Sequence, residues 1–88
     1  IKTFLQDELQ ITTTDTVTVY LIGSFATDTY TETSDIDLLF TDTGTYTIPS
    51  GKIYQNAVSY EGVTRDVHIS VNTQTGITEG KPHTLLTM

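Results

Sequence analysis

Three acids and a Gly-Ser turn in this chain have the types and spacing to do chemistry. Asp35 and Asp37 are separated by the single apolar residue Ile36. On a β-strand, residues i and i+2 share a face at ~6.6 Å between Cα atoms. The two carboxylates therefore project together, with Ile36 and Leu38 opposite. Two such charges at ~6 Å repel by roughly 3 kcal/mol at an effective dielectric near 20. A cation between them offsets that repulsion, so the pair reads as a metal site. A third acid, Asp66, stands in Thr64-Arg65-Asp66-Val67-His68-Ile69, where Asp66, His68 and Ser70 share one strand face and Val67, Ile69 and Val71 the other. If that strand lies beside the first, three carboxylates meet at one place. Oxygen-only donors favour Mg²⁺ or Mn²⁺ over zinc, commonly shared with substrate phosphates. Upstream, Gly23-Ser24 lets a backbone approach a ligand, and a helix starting at Phe25 with Ser24 as its N-cap would offer N–H groups to phosphate.

The elements that must position these groups follow from hydrophobic pattern. Ile1, Phe4, Leu5 and Leu9 recur at three- and four-residue spacing and predict a helix over about residues 1–10. Val17 to Ile22 is a buried strand, and Asp35 to Phe40 is the second. Thr27, Thr29 and Thr31 keep the intervening helix short, because β-branching restricts χ1. Lys52 to Tyr60 and Val63 to Val71 are β-prone and joined by Glu61-Gly62, a hairpin signal. The remainder, residues 72–88, is a polar, turn-rich tail. The expected architecture is α+β (α/β-like), a small mixed β-sheet with one or two short helices. Residues 1–88 form a single domain with its core at about 1–71.

Composition narrows the function. The chain has 88 residues, no cysteine and a net charge of −7 with only Lys2, Lys52, Arg65 and Lys81 basic. Proteins that grip a polyphosphate backbone rely on clustered Lys and Arg, so a nucleic-acid partner is not expected. No apolar run reaches the ~18–20 residues of a membrane span, and no signal pattern opens the chain, so a soluble, cytoplasmic protein with no membrane partner is expected. Thiolate metal sites are excluded for lack of cysteine. Tyr30, Tyr46, Tyr54 and Tyr60 are candidates to stack on a base, and Lys52 and Lys81 to meet phosphate. Arg65, facing away from Asp66, reads as a surface residue or an ion-pair partner.

Gly23-Ser24, ten residues, then Asp35-Ile36-Asp37-Leu38-Leu39, with Asp66 on a later strand, resembles the signature of the DNA polymerase β-like nucleotidyltransferases, the minimal ones above all. The resemblance covers about residues 1–71 and implies a nucleotidyltransferase-like core, truncated at the C-terminus where other members continue in helices. It implies that Gly23 and Ser24 hold the β- and γ-phosphates of a nucleoside triphosphate such as ATP. It further implies that Asp35, Asp37 and Asp66 ligate two Mg²⁺ or Mn²⁺ ions, with Asp66 helping to deprotonate an acceptor hydroxyl on a small molecule or a protein. Minimal members often carry Ala-Arg-Gly after Gly-Ser; here the segment is Phe25-Ala26-Thr27-Asp28. That departure opens a second reading, a non-catalytic or partner-dependent module bound to a helical protein, as in antitoxins of this fold.

Overall fold

A computed structural model describes residues 1–74 and 76–88; Thr75, in the polar tail, lies outside the described residues. The first helix, α1 (Lys2–Asp7), is shorter than the apolar spacing predicts. Gln10 takes a left-handed φ of 57°, and the Ile11 amide returns to the Leu5 carbonyl at 2.9 Å. The threonines that follow are poor helix formers, so the chain turns there and buries Ile11 instead of adding a turn of helix.

Among the described residues, five strands form one mixed sheet: β1 (Thr18–Ile22), β2 (Ile36–Asp42), β3 (Ile53–Tyr60), β4 (Val63–Val71) and β5 (Thr84–Leu85), in the order β3-β4-β2-β1-β5. β2 and β4 are parallel, and the other neighbours are antiparallel. Glu61 and Gly62 turn the β3–β4 hairpin with φ of 53° and 78°, the paired left-handed conformation of a two-residue turn whose twist suits the strands. β5 is the one strand that apolar pattern did not predict. It is two residues long and edge-exposed, held to β1 by pairing and by the Leu86 amide on the Val19 carbonyl at 2.9 Å.

Strand alternation sorts the sheet into two faces. Val19, Ile36, Leu38, Phe40, Val67 and Ile69 point to one side and pack with Phe4, Leu5, Leu9, Ile11 and Val17 into the core. At ~25 cal/mol per Å² of apolar surface, each such side chain stabilises the fold by about 1.5–3 kcal/mol before chain entropy is counted. The opposite face carries Tyr20 and Ile22 from β1, Asp37 and Leu39 from β2, and His68 and Ser70 from β4. The structure is thus two layers, α1 and its following segment against one sheet face, with the acids on the other. No helix among the described residues is long and apolar enough to cross a membrane.

Candidate active site

Register decides what surrounds Asp37. In the antiparallel β1–β2 pair, Ile22 lies opposite Asp37, so the chain leaving β1 turns over that carboxylate. The turning residue is Gly23, at φ 70°. A Cβ on Gly23 would stand 2.8 Å from Asp37 Oδ2, closer than Cβ atoms come to other heavy atoms. Glycine is required here for both its conformation and its lack of bulk.

The predicted Ser24-capped helix does not form. Gly23–Phe25 is a single 3₁₀ turn, with Ile22 at the cap position and no side-chain cap. The Thr27 hydroxyl bonds back to the Ser24 carbonyl at 3.2 Å, and Asp28 takes a left-handed φ of 58° that ends any helical path. β-branched threonines and a local side-chain bond thus outcompete helix propagation. With one turn there is no sizeable macrodipole to favour an anion.

Asp35 sits one residue before β2 and is exposed, while Asp37 is half-buried. Desolvation raises the Asp37 pKa above the ordinary carboxylate value; His68 pulls it down, and the Asp35 charge adds to the rise. The parallel β2–β4 register pairs Asp37 with His68, whose Nδ1 is 3.6 Å from Asp37 Oδ1. That register begins at Ile36 opposite Val67, so Asp35 and Asp66 each stand one residue ahead of the paired stretch. Asp66 also has a partner on β3: its Oδ1 accepts the Asn56 amide at 2.8 Å. Asn56 lies in the bulge where the β3–β4 register shifts between Tyr54 and Val58, at φ 51°. Among the described residues, no three of the His, Asp and Glu side chains are grouped closely enough to hold an ion. The donor chemistry still suits a hard divalent ion: Asp37 is pressed against a turn with no room for a Cβ, and the Asp35 charge acts on it.

Arg65 is not on the surface. It is 4% exposed and lies on the core face, two residues from Val67. Its Nη1 donates to the Thr31 carbonyl at 2.6 Å and the Ser34 carbonyl at 2.9 Å, the two ends of the bend that delivers Asp35. The guanidinium carbon lies 5.0 Å from the Phe25 ring centroid and 5.4 Å from that of Tyr30, and those rings stack at 4.2 Å. The Tyr30 hydroxyl donates to Glu61 in the hairpin turn, and that carboxylate holds the phenol well above its usual pKa. One signal for this was available: Arg65 has the parity of Val63, Val67 and Ile69, so strand alternation places it inside.

The candidate base-stacking tyrosines are engaged within the fold. Tyr30 stacks on Phe25 with Tyr60 edge-on to both, Tyr54 meets the Phe4 ring edge-on at 5.1 Å, and Tyr46 hydrogen-bonds Thr12. Lys52 lies 4.5 Å from the Tyr54 ring centroid. Beside the Gly23 turn, between the acid-bearing face and the tail, is a cleft of about 540 Å³ lined by Gly23, Thr27, Leu39, Ser70, Asn72 and Lys81 among others. Its size falls within the ~300–1,000 Å³ of small-molecule sites.

No curated protein and no solved structure matches the chain. A family model does: the nucleotidyltransferase domain, over residues 1–79, a span that includes the Gly23 turn, all three acids and the strands that carry them. This chain belongs to the nucleotidyltransferase domain family, whose general reaction is nucleotidyl transfer.

Proposed function

We propose that the chain transfers a nucleoside monophosphate from a nucleoside triphosphate to a hydroxyl of a small molecule or a protein. The observation that carries this reading is the contact between the Gly23 turn and the Asp37 carboxylate within the family-matched segment. A turn whose backbone N–H groups suit phosphate, next to an acid that suits a divalent ion, supports it. Asp35, Asp37 and Asp66 would hold Mg²⁺ or Mn²⁺, and Gly23 and Ser24 would receive the β- and γ-phosphates. When bound, the ions would neutralise phosphate charge and lower the pKa of the attacking hydroxyl.

The rest falls to the chain's own groups. The acceptor oxygen bonds to the α-phosphorus, the bond to the β-phosphate oxygen breaks, and pyrophosphate leaves. Asp66 takes the acceptor proton through Oδ2, while its Oδ1 stays on Asn56. The adjoining cleft accommodates a nucleoside-sized group against Leu39, with Ser70 and Asn72 as polar contacts. Calorimetric titration with Mg²⁺ and each of the four common triphosphates tests the reading. Binding that Asp35→Asn and Asp37→Asn each weaken supports it; no binding, or binding indifferent to both changes, rejects it.

A second reading, activity only with a helical partner that supplies positive charge, draws on where the cations lie. Arg65 is buried on the opposite face and Lys52 lies over Tyr54, leaving Lys81 as the one basic residue among the described lining of the cleft. Turnover of a triphosphate by the purified chain alone excludes it.

A further inference from the structure

His68 is not needed by the three-acid reading, yet it is the side chain that meets Asp37. The β2–β4 register makes the two direct neighbours on one face, and Nδ1 and Oδ1 are 3.6 Å apart. Donor atoms on one octahedral ion at ~2.1 Å lie about 3 Å apart when adjacent and about 4.2 Å when opposite. The observed separation is about 0.6 Å wider than the adjacent spacing, a gap that a small rotation of either partly open side chain closes. Both side chains are partly open, 43% for His68 and 38% for Asp37, so an ion can reach them from solvent. As an ion pair at that exposure the contact would contribute little to stability.

The two oxygens of Asp37 also face different neighbours: Oδ2 lies against the Gly23 turn and Oδ1 towards His68. We infer that His68, through Nδ1, is a nitrogen ligand to an ion held by Asp37, and that it biases the site towards Mn²⁺ over Mg²⁺. Carboxylate, water and phosphate suit Mg²⁺ and Mn²⁺ alike, whereas imidazole suits transition ions and discriminates against Mg²⁺. Asp37 and His68 supply two positions, leaving the others to phosphate and water, the usual economy of such sites. This inference rests on the proposed nucleotidyl-transfer reading, since it takes the Asp37 ion from there.

The test is electron spin-echo spectroscopy of Mn²⁺ bound to the full chain with inorganic tripolyphosphate, a probe containing no nitrogen. A ¹⁴N modulation from imidazole is expected in the wild type and in His83→Gln, and its loss in His68→Gln. Competition with Mg²⁺ is expected to show the Mn²⁺ preference falling at least about tenfold in His68→Gln, the scale seen when even a group supporting a ligand is removed. Asp37-dependent Mn²⁺ binding without ¹⁴N modulation, or with modulation that survives His68→Gln, overturns the His68 assignment and leaves the parent reading standing. Mn²⁺ binding that is absent or indifferent to Asp37→Asn overturns both. Circular dichroism of His68→Gln controls for folding, and a partly open strand position tolerates the change.

Discussion

Replacing Arg65 by alanine removes the clamp that holds the approach to Asp35. The bond to the half-buried Ser34 carbonyl is charge-assisted and contributes about 1.5–3 kcal/mol. The bond to Thr31, whose residue is exposed, is replaced in part by water and adds ~0.5–1 kcal/mol. Stacking on Phe25 and Tyr30 adds ~0.5–1 kcal/mol. Against this, alanine relieves a buried charge whose Nε has no partner, worth roughly 1 kcal/mol. The net loss is about 3 kcal/mol, from a stability of roughly 4–13 kcal/mol for a domain of this size. In thermal unfolding that is a fall in Tm of about 12–24 °C. Urea titration gives the free energy, and amide spectra should show Thr31 to Asp35 shifting most. Arg65→Lys should recover less than half, because an ammonium cannot both span two carbonyls and stack flat. A loss under ~1 kcal/mol, the range of an exposed ion pair, would refute the clamp.

Three further outcomes follow from the geometry. Asp37→Asn should stabilise the fold near pH 7: a pKa raised in the folded state means that stability falls as pH rises from the ordinary carboxylate value through the folded one, and the neutral amide is free of that loss. The difference from wild type should close below about pH 4 in urea titrations at stepped pH; a constant offset would count against desolvation as the cause. Gly23→Ala should cost about 1–2 kcal/mol for its left-handed φ, and it should displace the Asp37 carboxylate, so divalent-ion affinity read by calorimetry should fall further than stability does. Asp66→Asn keeps an acceptor for the Asn56 amide and should leave stability within ~0.5 kcal/mol while weakening ion binding, whereas Asp66→Ala should lose about 1–2 kcal/mol in chemical denaturation.

Much of this protein was determined by local sequence. Period-two alternation put Ile36 and Leu38 in the core with Asp37 on the far face, and did the same for Val67, Asp66 and His68, because a strand's geometry leaves its side chains no other choice. Glu61-Gly62 made a hairpin for an equally local reason. What pattern could not reach depended on partners distant in the chain. β5 forms only because β1 has an open edge, and nothing in Thr84-Leu85 announces that. The helix after Gly23 was lost to Thr27 bonding back to the turn and to Asp28 in a left-handed conformation. Arg65 became a buried clamp once the bend at Thr31–Ser34 brought two carbonyls and two rings to it. The acids were legible as residues, but their neighbours were decided by register: one pairing put Gly23 over Asp37, and another put His68 beside it. Spacing along a strand says which side chains share a face; only the pairing of strands far apart in sequence says which of them touch.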